Sequence, residues 1–555
     1  MDFKTIFTGG VPIILGLSVI LTALVSFFLL WIYRRAVLRA MNIPAGVTLF
    51  TQDNGRGESA GKQSNPAEIS IVDSFSPPWN LQAGESNFRA SMKSLNRMVI
   101  VYFFGGLMYA AVLSVAWIIA SEATFTPTLI FLLVIYFLWP FILAVNFANP
   151  SIRIRIAIFY FVILFLIVIY ALVRNSESSF AQLAFLWLFL NASGTLLLLL
   201  FMFRKIRAVG PIVLAFLVTA LTGSVTVINL VGNNDELMQN IANIGSRLNL
   251  GAPLVVLLLI AFGFGLFGIL GWQLLQWLGR RYKNKKMSDL SIILDSVWLL
   301  FSVVQSLTLV FEGWLWVFTG VAAFILYKLT IKTGFYLSFK KDVNFTKGKQ
   351  LLLLRVFSLG RQSERLFDRI SGIWLRGGSI NLIAGPDLVT STVEPHEFLE
   401  FMGGRLGRQF VSGQEDLENR MVQKDDRTDP DGRFRVNEFF CRADTWQMTV
   451  QKLAGECDAV LMDLRSFSRI NQGCIIELRH LINHVPLGKI CIIADDSTDR
   501  LFLEETIKSI HEQINPSSPN FQKEDGTVRI FRLRNKSKRE LKNLMIQLLG
   551  ISAAA

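Results

Sequence analysis

The last third of the chain carries acidic, basic and hydroxyl side chains that could act on a bound molecule. Asp463, Arg465 and Ser466 stand at the end of one short apolar run. Glu477 follows in the first turns of the helix predicted after that run. Carboxylate, guanidinium and hydroxyl groups that are brought to one place predict a ligand site, provided that the surrounding elements position them together.

The elements around these residues read as a parallel α/β sheet. Five apolar runs alternate with helical stretches, and each run is short enough for a strand that is covered on both faces. The runs are 351–357, 380–384, 459–464, 489–494 and 527–533. We therefore predict a five-stranded, parallel, doubly wound domain over 350–549, with an insertion at 395–443 and a tail at 550–555.

Ligands of such sheets bind at the carboxyl ends of the strands. This rule selects the candidate site residues. They are Arg355 near the end of the first run and Ser358 after it, Pro386 and Asp387 after the second, Asp463, Arg465 and Ser466 at the third, and Glu477 on the following helix.

Residues 1–334 are predicted to form a polytopic membrane domain of α-helices, followed by a linker at 335–349. A spanning helix needs about 20 apolar residues. Eight or nine segments qualify, the last two being separated only by Glu312 and Gly313. They are 11–33, 98–119, 126–148, 156–173, 180–203, 210–231, 252–278, 291–311 and 314–331. The loop 34–97 is predicted to be mostly irregular, with a short strand near 69–72.

Basic residues in alternate loops predict the orientation, because Lys and Arg are retained on the cytoplasmic side. Clusters such as Arg34 with Arg35, Arg153 with Arg155, and Arg280 with Arg281 follow every second segment. With nine spans, the N-terminus lies outside and the C-terminal domain lies in the cytosol of a plasma or inner membrane. Asp295 and Glu312 are the charges to consider for an ion site in the membrane domain, and both are expected near helix ends, where an interfacial role is favoured.

Composition narrows the classes of function. Of the 555 residues 52% are hydrophobic and only 17% are charged, which is unlike a soluble or a disordered protein. The net charge of +13 is assigned to membrane-flanking loops and anionic lipid rather than to nucleic acid. The four cysteines form no CxxC pair, and no metal site is predicted.

The C-terminal domain resembles the Toll/interleukin-1 receptor (TIR) family over roughly 350–549. The stretch 354–358, reading LRVFS, is similar to the first strand of that family. The segment 466–478, reading SFSRINQGCIIEL, is similar to its Ser-x(n)-Trp-Cys-x-x-Glu-Leu pattern. Cys474, Glu477 and Leu478 hold the matching places, and Gly473 stands where the family has an aromatic residue. The resemblance implies a flavodoxin-like sheet.

The segment 471–477 also resembles the Asp-x-Gly-Thr-x-x-Glu pattern of nucleoside deoxyribosyltransferases. In both groups of enzymes the glutamate acts at an anomeric carbon, and enzymatic TIR domains cleave NAD between nicotinamide and ribose. Breaking that bond develops oxocarbenium charge, which a nearby carboxylate stabilises or attacks. The resemblance thus implies Glu477 as catalytic residue and NAD as substrate, with no bound cofactor.

Three functions remain open from the sequence. The first is a membrane-anchored signalling or defence-type effector that hydrolyses NAD or a related nucleotide. The second is a non-catalytic interaction module tethered to the bilayer, and the third is a transporter with a regulatory domain. The resemblance also implies a homo-oligomer that assembles through the membrane and TIR-like domains.

Overall fold

The computed structural model describes most of the chain and divides it into two compact units. The described residues are 11–41, 70–73, 81–138, 141, 153–174, 179–184, 196–197, 200–201, 204–207, 209–307, 309, 312–339, 348–355, 361–384, 393–521, 526–533 and 538–554. The helical unit comprises Met1–Ile32, Arg97–Lys341 and Glu394–Leu399. The sheet unit comprises Tyr33–Asn96, Asp342–Val393 and Glu400–Ala555.

Helices, most of them apolar, form the helical unit, and the first two also extend into the sheet unit. They are α1 (Val11–Met41), α2 (Leu81–Ala120), α3 (Pro127–Phe137), α4 (Arg153–Arg174), α5 (Arg204–Arg207), α6 (Gly210–Gly232), α7 (Asp235–Arg247), α8 (Ala252–Lys283), α9 (Asp289–Leu307) and α10 (Phe318–Phe339). Prolines occupy the first turns of α3, α6 and α8, where their missing N–H groups leave no hydrogen bond unmade.

Five of these helices are long and apolar enough to cross a membrane, which indicates an integral membrane protein. They are Ile14–Met41, Leu81–Ala120, Gly210–Gly232, Ala252–Lys283 and Asp289–Ser306. Each coincides with a predicted span. Two further predicted spans coincide with shorter apolar helices, Pro127–Phe137 and Ile158–Tyr170. Most of the predicted span 180–203 lies outside the described residues.

A polar cluster lies among the apolar side chains of α2, α9 and α10. Lys328 Nζ on α10 contacts Asp295 Oδ2 on α9 at 2.5 Å. Tyr109 on α2 donates to Gln305 Oε1 on α9 at 2.7 Å, and both side chains are buried. The expectation that Asp295 and Glu312 are the charges to consider in the spans is therefore incomplete, because Lys328 is the partner of Asp295.

Seven parallel strands form one sheet in the sheet unit. They are β1 (Ser70–Asp73), β2 (Lys349–Arg355), β3 (Gly378–Ile383), β4 (Val436–Phe439), β5 (Ala459–Asp463), β6 (Ile490–Ala494) and β7 (Thr527–Arg532). Their order across the sheet is β1-β7-β6-β5-β2-β3-β4. The prediction of five strands is wrong in its count, since β1 and β4 add one strand at each edge.

Of the two additional strands, β1 confirms the predicted short strand near 69–72, whereas β4 was not predicted. β1 lies in the loop 34–97 and pairs with β7, in register from Ser70 with Thr527. β4 lies in the insertion 395–443 and pairs with β3. Both have only four residues, and the sequence did not indicate that either one joins this sheet.

Helices cover both faces of the sheet. They are α11 (Arg361–Trp374), α13 (Gln414–Gln423), α14 (Trp446–Glu456), α15 (Gln472–His484), α16 (Arg500–Glu512) and α17 (Lys538–Ala554). Helix α12 (Pro395–Met402) belongs largely to the helical unit. Side chains of α14, α15 and α16 pack on one face, against residues such as Leu352 and Val460. Side chains of α11 and α17 pack on the other, against residues such as Leu351 and Leu461. Burial on both faces explains the nearly continuous apolar strands.

Candidate functional site

The candidate site lies where the direction of strand addition changes. β3 follows β2 on one side, whereas β5 joins β2 on the other side. Arg355 and Asp463 are the last residues of β2 and β5, and they are partners in the register. Because ligands of parallel α/β sheets bind at such a switch point, the predicted residues at this edge stand at the expected place.

Asp463 is engaged by Arg465 rather than left open to a ligand. Arg465 Nε donates to Asp463 Oδ1 and Arg465 Nη2 donates to Asp463 Oδ2, both at 2.7 Å. Both residues are 1% exposed. Arg465 Nη2 also reaches the Gln362 carbonyl of α11 at 3.4 Å. A bidentate pair of this kind fixes the planes of both groups, so Asp463 positions Arg465 beneath the edge of the sheet.

Glu477 is buried in α15, with 4% exposure, although its sequence neighbour Ile476 is 45% exposed. Its Oε2 atom has no hydrogen-bond partner among the residues that the structure describes. Burial raises the pKa of Glu477 to about 8, and the positive charge of Arg355 opposes part of that rise. A carboxyl group with a pKa near 8 can carry or release a proton close to neutral pH.

Cys474 lies one helical turn before Glu477 and is also buried, with 7% exposure. Burial, followed by the carboxylates of Glu477 and Asp463, raises the pKa of its thiol to about 12. The thiol therefore remains protonated at neutral pH, which argues against a cysteine nucleophile.

Ser466 links two loops at the edge of the sheet. Its φ of +59° lies in the left-handed region, which non-glycine residues rarely adopt. Its hydroxyl lies 2.7 Å from the Ser497 hydroxyl in the loop after β6. Thr498 of that loop donates to the Leu464 carbonyl at 3.0 Å. Such a backbone conformation is held by its surroundings and occurs often at functional sites.

The structure thus brings together Arg355, Asp463, Arg465 and Glu477, with Ser466 at the rim. Ser358, Pro386 and Asp387 fall in 356–360 and 385–392, outside the described residues. Sequence reasoning did not find Ser497 and Thr498. The available signal was their position directly after β6, at the same edge of the sheet.

The two histidines of α15 stack on each other, with ring centroids 4.3 Å apart. Burial and the neighbouring His484 lower the pKa of His480 to about 4. Among the described residues, no group of three or more His, Cys, Asp or Glu side chains could hold a metal ion.

Comparison of the chain with protein-family models, with curated proteins and with solved structures finds no match.

Proposed function

We propose that the sheet unit cleaves the N-glycosidic bond of a nucleotide, with NAD as the first substrate to test and Glu477 as the catalytic carboxyl. One observation carries the proposal: a buried glutamate at the switch-point edge whose Oε2 atom has no partner among the described residues. Leaving a buried carboxyl oxygen without a hydrogen-bond partner costs stability, so such an atom is expected where a ligand completes its interactions.

The order of the strands adds support for a TIR-like, flavodoxin-like fold. Without the edge strands β1 and β4, the remaining strands are ordered β3-β2-β5-β6-β7. Counted along the chain, this is the order 2-1-3-4-5 of flavodoxin-like sheets. Fold likeness alone does not assign an activity, which must come from the site.

The chemistry follows from the charge of the substrate. The nicotinamide ring of NAD is cationic, so its approach favours the ionised form of Glu477. The C–N bond then breaks with its electron pair leaving on the nicotinamide nitrogen. The carboxylate stabilises or attacks the oxocarbenium carbon, and water supplies the hydroxyl group and releases a proton. The products are nicotinamide and ADP-ribose.

The test is NAD turnover by the full-length protein in lipid vesicles at high surface density, since the proposed enzyme acts as a homo-oligomer. We expect wild-type protein to release nicotinamide and Glu477→Gln to lose at least about 100-fold in rate. Glu505→Gln, which changes an exposed glutamate on α16, is the matched control and should retain activity. Equal turnover by the wild type and Glu477→Gln would contradict the proposal.

A second function is favoured by exposed apolar side chains near the same edge. Ile470, in the loop after β5, is 86% exposed and Leu501, at the start of α16, is 76% exposed. Arg469 lies over the Phe502 ring between them, 5.4 Å from its centroid. Such a patch fits a protein-interaction module. Absence of NAD cleavage, together with self-association that Ile470→Asp abolishes, would favour this alternative.

A further inference from the structure

Helix α7, which connects two candidate spans, is short and amphipathic. It begins after Asn234, whose Oδ1 accepts from the Leu237 N–H at 3.0 Å. Asp235 and Glu236 in its first turn and Arg247 in its last turn complement the helix dipole. These features make α7 a complete helix of 13 residues rather than a polar loop.

One face of α7 is apolar and open. Leu237, Ile241, Ile244 and Leu248 follow the spacing i, i+4, i+7 and i+11, which places them in one stripe. Leu237 is 44% exposed, Ile244 57% and Leu248 62%. Gln239 and Ser246 lie on the opposite face by the same helical geometry.

The position of α7 next to two candidate spans indicates the environment of its apolar face. α6 ends at Gly232 and α8 begins at Ala252, so α7 joins the same end of both helices. Gly245 of α7 packs closely on Val255 in the first turn of α8. Leu254, Leu257 and Leu258 of that part of α8 are themselves 43%, 58% and 51% exposed.

We infer that α7 lies in the plane of the membrane interface and buries its apolar stripe at the boundary between headgroups and acyl chains. The adjoining surface of α8 is apolar and belongs to a candidate span, so the stripe continues a surface that lipid already covers. α7 carries two acidic residues and one basic residue, so insertion of apolar side chains holds the helix there, without attraction to anionic lipid.

The test uses an environment-sensitive fluorophore on single added cysteines in full-length protein in phosphatidylcholine nanodiscs. The four native cysteines are buried, so unmodified protein measures background labelling. A spin-labelled phosphatidylcholine quenches fluorophores that lie in the bilayer. We expect the fluorescence of the label at Ile244→Cys to be quenched at least about twofold more strongly than that of the label at Gln239→Cys. Adding anionic lipid should leave this difference unchanged.

Equal quenching at the two sites would overturn the inference. A shifted emission at Ile244→Cys without quenching by the spin-labelled lipid would also overturn it, and would point to a second copy of the chain. If Ile244→Cys does not yield folded protein, Leu248→Cys with Ser246→Cys gives a second pair on the same two faces.

Discussion

At the scale of single residues, burial decides what each predicted site residue can do. Glu477 lies in the first turns of α15 and is only 4% exposed. Asp463 was expected to bind substrate, whereas its two carboxylate oxygens accept from Arg465. These two carboxyls at one edge therefore differ in role. Both oxygens of Asp463 accept from Arg465, whereas Oε2 of Glu477 has no hydrogen-bond partner among the described residues.

The raised pKa of Glu477 predicts how the stability of the sheet unit depends on pH. The carboxyl titrates near 4.5 in the unfolded chain and near 8 in the folded one. Between these values the folded state binds more protons, so the free energy of unfolding falls as pH rises. Because glutamine does not ionise, Glu477→Gln removes this decrease in the free energy of unfolding. The variant should stabilise the sheet unit at pH 9 by a few kcal/mol.

Thermal unfolding of full-length protein in nanodiscs, at pH 5.5 and pH 9, measures this effect. We expect the gain from Glu477→Gln to be clearly larger at pH 9. The unfolding temperature of Glu505→Gln should differ from that of the wild type by the same small amount at both pH values, because Glu505 is exposed. A gain from Glu477→Gln that does not change with pH would mean that Glu477 titrates normally.

At the scale of elements, the hairpin of α9 and α10 shows why charges within apolar helices occur as pairs. Gly320 of α10 packs on the Ser302 backbone of α9, which brings the helices close. The Asp295 side chain is 14% exposed and has Lys328 as its partner. Among apolar side chains, the positive charge of Lys328 compensates the negative charge of Asp295. The effects of the two residues on stability are therefore expected to be coupled.

Removing either charge of this pair should destabilise the hairpin more than removing both. Asp295→Leu or Lys328→Leu leaves one charge uncompensated, and we expect a loss on the order of 3 kcal/mol. The double variant should recover most of that loss. Lys332→Leu, on the exposed side of α10, is the control. Denaturant titration in mixed micelles measures the four variants, and additive effects of the two single changes would exclude coupling.

At the scale of the whole molecule, the sheet unit is assembled from three separate segments of the chain. The first turns of α2 belong to it: Asn87 donates to the Leu549 carbonyl of α17 at 3.2 Å, and Phe88 packs on the apolar cluster beneath. Gly84 lies against the backbone carbonyl of Ile546, where no side chain fits. The segment before the second apolar span is thus part of the α/β core.

Gly84→Ala should therefore weaken the sheet unit by about 1–2 kcal/mol, because its methyl group would meet the Ile546 carbonyl. Gly372→Ala on α11 is the matched control, since an added Cβ there meets nothing within 4 Å. Gly372→Ala should stabilise the sheet unit slightly, because alanine has a higher helix propensity than glycine. Hydrogen exchange of the α17 amides in full-length protein compares the two variants, and equal protection would contradict the packing of α2 on α17.

Local patterns in the sequence determined much of this architecture. Runs of about 20 apolar residues identify the membrane helices, and short apolar runs identify β2, β3, β5, β6 and β7, because each signal lies within one element. The carboxyl-edge rule then selected Arg355, Asp463, Arg465 and Glu477 without any contact being known. The TIR resemblance and the cleavage of NAD remain predictions.

Only the tertiary structure decided the rest. The pairing of the edge strands β1 and β4 with β7 and β3, which lie far away in the chain, is visible only in the tertiary structure. The partner of Asp295, the pairing of Asp463 with Arg465 and the burial of Glu477 depend on which side chains meet in space. A sequence lists the charges, but the desolvation and the partners that set their chemistry arise only when distant segments pack together.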